Sequence, residues 1–171
     1  MVNTTLVVAV DESGEKVLLG RKKLGFGTGK IVSFGGKIEL GEKPLDCIQR
    51  EFQEETSIYL PKTNFKPIGF IEFHFPYHDG WGFKTYVFHV IGLNGQQPRD
   101  SGEISSQWYS LNDLPWAEMW EDGQHWLLLA ARGKCFKAEF TYGRDGESLT
   151  EYHITLLEKF EIPLQEFDVL L

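Results

Sequence analysis

The sequence predicts a single α/β domain, on three observations. Runs of β-branched and aromatic residues recur along the chain and are separated by Gly- and Asp-containing turn signals, the mark of hairpins. Between the first two such groups, the stretch GKIELGEKPLDCIQREFQEETSI at 36–58 reads as a loop leading into an amphipathic helix over Pro44–Thr56. The length, 171 residues with 42% hydrophobic and 14% aromatic content, suits one sizeable core and requires no second domain.

Residues 5–10 form a short β-rich run that ends at the turn Asp11-Glu12-Ser13-Gly14, and residues 16–21 resume as a second strand, so a hairpin is expected. The stretch that follows, RKKLGFGTGKIVSFGGK, is rich in glycine but is not a phosphate-binding P-loop. Gly29-Lys30 is followed by Ile31 where that motif needs Ser or Thr, and no glycine stands five residues before Gly29. These glycines shape loops. Phe26, between two of them, is either a wall for a bound ring or an anchor packed on the core, and Lys22 and Lys23 either approach phosphates or are solvated. Residues 31–34 read as a short strand that delivers Gly35 and Gly36 to the helix.

Pro44 suits the first turn of the helix, where its missing N–H costs nothing. At 100° per residue, Leu45, Ile48 and Phe52 share one stripe and Glu51, Glu54 and Glu55 share the next, so one side packs while the other presents carboxylates. Like charges at i and i+4 cost a solvated helix roughly 0.2 to 0.5 kcal/mol, and a pair about 4 Å apart repels by about 4 kcal/mol at an effective dielectric near 20. An isolated acidic triplet is usually a solvated face. If something positive occupies it, all-oxygen ligands favour Mg²⁺ or Mn²⁺, which bridge carboxylates to substrate phosphates.

Gly36, Glu42, Arg50, Glu51, Phe52, Glu54, Glu55 and Ile58 fall at the spacing of the Nudix box, G-x5-E-x7-R-E-U-x-E-E-x-G-U with U aliphatic or aromatic, so this stretch resembles the Nudix hydrolase family. One fixed position departs: Ser57 replaces the second glycine, the residue that most easily takes a left-handed conformation, and a local strain of about 1 kcal/mol is expected without loss of metal binding. The resemblance implies a Nudix α/β/α sandwich with a mixed central sheet and a carboxylate-bearing helix. The domain would span residues 1–171, with a C-terminal extension from about 159. It implies a hydrolase of phosphoric anhydrides whose Mg²⁺ or Mn²⁺ is held by Gly35, Glu51, Glu54, Glu55 and Glu103, with Arg50 and these glutamates as the catalytic set. Arg50 is expected to pair with Glu42 and orient the ligands. Glu103, in the polar segment before the strand at 106–109, is solvated by default and enters the set only through the resemblance.

Residues 65–77 and Phe83–Ile91 are rich in aromatic and β-branched residues and are joined by the turn signal His78-Asp79-Gly80, a second hairpin. By period 2, Ile71, Phe73, Phe75 and Tyr77 share one face and Glu72 and His74 the other. Such an aromatic stripe is ordinarily core, yet Phe73 and Phe83 lie where a sheet face would floor a nucleobase pocket, and stacking there is worth about 1 to 3 kcal/mol. Leu111 to Pro115 turns into a short helix, Gly123–Ala131 is helical, and Cys135–Tyr142 with residues 148–156 makes a terminal hairpin around Gly143-Arg144-Asp145-Gly146. The last segment, PLQEFDVLL, is apolar without a visible partner and is expected to cover an edge or sit at a dimer contact.

Composition narrows the function further. The formal charge of −8 argues against a non-specific nucleic-acid surface, and a phosphorylated substrate would be repelled without a metal. The start, MVNTTLVVAVDESGEK, has no basic n-region and only a short apolar run, so a cytoplasmic protein with no membrane association is expected. The two cysteines, Cys47 and Cys135, have no C-x-x-C spacing, and the five histidines show no zinc-protease spacing or nucleophile arrangement. The partner expected is a small nucleotide substrate, with no stable nucleic-acid complex, and the chain is expected to be a monomer or weak homodimer.

Outside the box, VLLGRKKLGFGTGK, FGGK, and LPWAEMWED with Trp126 resemble the MutT-like branch of the family that hydrolyses oxidised purine nucleoside triphosphates, over about residues 5–158. In that branch a tryptophan stacks over the purine and two consecutive aspartates bond its edge; the matching residues are Trp120, Glu121 and Asp122, with glutamate for the first aspartate. An asparagine that bonds the base falls at Val32, and a tryptophan before it falls at Ile31. With Lys22, Phe26, Phe73 and Phe83 these are the substrate-binding candidates. Val32 donates nothing to a polar base edge, so base choice is expected to be relaxed or redirected. The alternative substrates are a nucleotide sugar, a dinucleotide polyphosphate or capped RNA. A non-catalytic binding module of this fold would be expected to have lost box glutamates, and none is lost.

Overall fold

The computed structural model describes residues 1–163. In chain order the elements are β1 Val2–Val10, β2 Lys16–Lys22, β3 Ile31–Val32, β4 Phe34–Lys37, α1 Pro44–Thr56, β5 Lys66–His74, β6 Phe83–Ile91, β7 Ile104–Ser110, α2 Gly123–Ala131, β8 Cys135–Tyr142 and β9 Leu149–Leu157. Single 3₁₀ turns occur at Lys62–Asn64 and Trp116–Glu118. Residues 164–171 of the final apolar segment lie outside the described residues.

Strand β1 is apolar on both faces, so it sits in the middle of a nine-stranded mixed sheet with a layer on each side. Val8 and Val10 join the cluster covered by α2, with Trp126, Leu127 and Ala130, while Val7 and Ala9 join the cluster covered by α1, with Ile48 and Phe52. The period-2 alternation of one strand thus feeds both cores and makes the α/β/α sandwich. β1 runs parallel to β6 and β5 runs parallel to β8; the other pairings are antiparallel. Among the described residues no helix is long and apolar enough to cross a membrane. Cys47 and Cys135 are free thiols.

The expected first hairpin forms only at its tip, where Ala9 pairs with Leu18 and Val10 with Val17. Below the tip the strands part. β2 goes on to pair with β3, its other edge held by β7 along its whole length, and the vacated edge of β1 is taken by β4 through Thr4 to Val7. The run expected as one strand at 31–34 is therefore two, β3 on β2 and β4 on β1, bridging the gap. The second expected hairpin, β5 with β6, is present, but Tyr77 lies beyond β5 and is exposed instead of continuing the aromatic stripe. Its ring lies under the Arg144 guanidinium at 4.4 Å.

Helix α1 spans the predicted residues, with Pro44 in its first turn. Phe52 is fully buried between Phe34 and Phe65, in edge contacts at 5.7 and 6.0 Å. Burying one phenylalanine is worth about 1.5 to 3 kcal/mol, against roughly 0.2 to 0.5 kcal/mol for a like-charge pair on a helix surface, so the packed face outweighs the acidic one. The helix ends at Ser57, which adopts φ 63° and ψ 17° and donates its backbone N–H to the Gln53 carbonyl at 2.8 Å. A side chain is tolerated there, at the cost of the left-handed backbone. Ser57→Gly should raise stability by about 0.5 to 1 kcal/mol, seen as a Tm increase of about 1 to 4 °C in a thermal melt. A lower Tm would show that the left-handed serine carries no strain.

Candidate active site

Glycines bring the β4 loop against α1. A Cβ on Gly35 would lie 1.9 Å from the Thr5 carbonyl oxygen, and one on Gly36 would lie 2.3 Å from the Glu51 carboxylate. With neither side chain present, the Gly35 N–H donates to Glu55 Oε1 at 2.8 Å. Helical spacing places Glu51 and Glu55 on the face turned to this loop, while Glu54 is exposed.

Arg50 organises the acids. Its Nε and Nη2 donate to the two oxygens of Glu42 at 2.7 and 2.9 Å, its Nη1 donates to Glu51 Oε1 at 2.8 Å and Glu54 Oε2 at 3.3 Å, and Nη2 also reaches the Lys37 carbonyl at 3.2 Å. This is the expected pairing with Glu42. The hydrogen bonds from Arg50 hold Glu42 below the usual carboxylate range despite its partial burial.

Glu51 and Glu55 behave in the opposite way. Burial raises Glu51 against the opposing pull of Arg50. Burial pushes Glu55 up to about 8; the Gly35 N–H opposes the rise, Glu51 adds to it, and Lys22 and Glu103 act with opposite signs from farther out. Glu103 itself is exposed, and its carbonyl accepts the Lys23 N–H at 2.7 Å. Among the described residues, Glu51 Oε2, Glu54 Oε1 and Glu55 Oε2 accept no hydrogen bond. Unpartnered carboxylate oxygens on one helix, two of them on half-buried or buried groups, fit a hard divalent cation.

A cavity of about 200 Å³ opens over the gap between β1 and β2. At one end it is lined by Gly35, Gly36, Glu55 and Lys22, and at the other by Phe26, Phe73, Phe83, Trp120 and Asp122. Phe26 stacks on Trp120 at 5.2 Å with the planes 10° apart, and also meets Trp81 edge-on at 4.8 Å, so it is both wall and anchor. Asp122 is buried beneath this wall, accepting the Trp126 indole N–H at 2.6 Å and the Tyr142 hydroxyl. Burial raises its pKa.

Val32 lines the cavity and packs against the α1-side cluster as well. Ile31 lines it from within the opposite cluster. Glu121 does not line the cavity; its carboxylate accepts the Leu149 N–H at 2.9 Å. Phe75 and Tyr142 line the cavity without having been singled out as site residues. Phe75 carried a signal, its place two residues from Phe73 on one strand face; Tyr142 carried none.

The NUDIX domain model matches residues 2–130, the stretch that carries the carboxylate helix, Phe26 and Trp120. The chain belongs to the Nudix hydrolase family. It is 31% identical to the mouse oxidized purine nucleoside triphosphate hydrolase over 156 residues, covering 91% of this chain and 96% of that protein. To the zebrafish protein of the same name it is 33% identical over 138 residues, covering 81% and 85%. Among solved structures, the MutT protein of Bacillus halodurans superposes with a TM-score of 0.72 at 24% identity, over 90% of this chain and 97% of that one, a likeness of fold.

The raised Glu55 pKa links cation binding to protons. A carboxyl raised to about 8 stays protonated in the folded state at pH values where the unfolded chain has already ionised, so the metal-free protein loses stability as pH rises from the ordinary glutamate range through about 8. A bound cation needs the ionised form. Mg²⁺ affinity should therefore rise between about pH 6.5 and 8.5, with up to about one proton released per ion near neutrality, measurable by calorimetry in buffers of different ionisation enthalpy. A pH-independent affinity would remove Glu55 from the ligand set.

Proposed function

We propose that this chain is a divalent-metal-dependent pyrophosphohydrolase of nucleoside triphosphates, releasing monophosphate and pyrophosphate, with oxidised purine triphosphates such as 8-oxo-dGTP as its substrate class. The observation that carries the reading is the single cavity shared by Glu55 and Trp120, which gives the phosphates and the base of one nucleotide a continuous site. The names of the mouse and zebrafish relatives support the substrate class.

In this reading Glu51, Glu54 and Glu55, with the Gly35 carbonyl and Glu103, hold Mg²⁺ or Mn²⁺. The cation supplies charge neutralisation on the phosphates and a more acidic bound water. Water, giving a proton to one of the carboxylates, would add to a phosphorus of the chain as the bridging oxygen leaves with its electron pair, and no bond to the protein would form. Arg50 fixes the carboxylates, Lys22 offers its ammonium to the phosphates, and Trp120 with Phe26, Phe73 and Phe83 takes the base. Asp122, kept dry, presents a polar group at the base edge.

Glu54 is exposed and makes only the 3.3 Å contact to Arg50, so Glu54→Gln leaves the packing intact. It should lower kcat by at least about 10²-fold at saturating Mg²⁺. Unchanged turnover in a steady-state assay would remove the glutamate from the reaction.

Val32 is where base choice is tested. Asparagine there supplies an amide that donates and accepts, and one well-made hydrogen bond is worth about 0.5 to 1.5 kcal/mol, so Val32→Asn should raise kcat/KM for 8-oxo-dGTP relative to dGTP by roughly two- to tenfold. Equal changes on both nucleotides would show that position 32 does not read the base. If neither triphosphate is hydrolysed while a nucleotide sugar, a dinucleotide polyphosphate or capped RNA is, the substrate class is wrong and the family chemistry stands.

A further inference from the structure

The face of the sheet opposite the cavity carries, over β5, β8 and β9, a second group of ligand-type side chains that nucleotide hydrolysis does not use. Glu72 and His74 of β5 and Glu139 of β8 each bring a ligand atom to within 4.8 Å of the others. Register is the cause: in the parallel β5–β8 pair Glu72 stands beside Glu139 and His74 follows two residues on, while Phe73 between them points into the cavity.

His74 Nε2 lies 3.3 Å from Glu72 Oε2. The juxtaposed carboxylates of Glu72 and Glu139 repel one another across the strand pair. Lys84 of β6, paired in register with Glu72, makes no salt bridge to either among the described residues. On the far side His153 of β9 stands opposite Glu139, exposed, with its Nε2 3.0 Å from Glu151 Oε1. Directly opposite residues of an antiparallel pair have Cβ atoms about 4.5 to 5.5 Å apart, so a rotamer change brings a second imidazole to the group.

We propose that Glu72, His74 and Glu139, joined by His153, form a binding site for a zinc-class divalent ion that ties β5 to β8 and β9. Mixed imidazole and carboxylate donors in a set of four suit Zn²⁺, whereas the all-oxygen set on α1 suits Mg²⁺. The β4 edge that faces α1 is three strand spacings from β5, about 14 Å, so one ion does not serve both places. Because Phe73 lies between two of the ligands, an ion on the outer face also holds the inner, cavity-lining face of the strand.

Calorimetric titration of the metal-free full-length protein with Zn²⁺, in excess Mg²⁺ to fill the α1 carboxylates, should show one site. Zn²⁺ at about a hundred times its Kd should raise Tm by about 5 to 10 °C. His74→Ala and Glu139→Gln should each weaken Zn²⁺ binding by at least about tenfold, with melts in the absence of zinc unchanged. His153→Ala should cost less than either. No Zn²⁺ binding by the wild type would overturn the proposal, as would binding that survives His74→Ala and Glu139→Gln but is lost in Glu51→Gln. None of these readouts depends on catalysis, so they stand apart from the nucleotide reading.

Discussion

The Arg50 guanidinium, forked onto Glu42 and bonded to Glu51 and Glu54, is the interaction on which the arrangement of carboxylates depends. A planar fork grips two oxygens of one partner and still reaches others, which a lysine ammonium does not reproduce. It neutralises part of a strongly acidic surface and fixes which carboxylate oxygens remain open. Glu55 lies beyond its reach and is controlled instead by burial and a backbone N–H. Arg50 thus holds Glu42 below the usual carboxylate range, whereas burial raises Glu51 against the pull of Arg50 and raises Glu55 further.

The same economy shapes the cavity. β1 and β2 part after two residue pairs, and the short strands β3 and β4 span the opening. That break in the sheet leaves Gly35 and Gly36 against α1 and Ile31 and Val32 beside the aromatic slot, so one irregularity places residues at both ends of the site. Hydrophobic burial on the two faces of β1 is what makes a broken sheet stable enough to carry it.

Local patterns were legible in the sequence, and long-range ones were not. The bounds of α1 and α2, the two hairpin partners β5 and β6, and the β8–β9 hairpin followed from periodicity and turn residues, because those signals act over a few residues. The spacing of Arg50 and the glutamates revealed the acidic helix, since helical geometry converts spacing directly into position. Nothing local told that β2 would leave β1, that β8 would lie parallel to β5, or that Tyr142 would reach Asp122. Nor was it legible that adjacent residues 121 and 122 point in different directions, with only the buried one meeting the cavity. Which ring covers Trp120 was equally invisible, because it depends on how the 25–29 loop folds over it.

Phe26 is flanked by Gly25 and Gly27, both at positive φ, and a Cβ on Gly27 would come within 3.1 Å of the Trp120 indole nitrogen. The loop therefore lies flat on the tryptophan, and the phenyl ring already shields that face from water. In the proposed reading a nucleobase would have to part Phe26 from Trp120, gaining only the difference between the old aromatic contact and the new ones. Stacking would then contribute little to choice among bases, since every base would part the same pair. Discrimination would fall to the groups at the rim of the ring, where one misplaced donor or acceptor is not compensated by exchange.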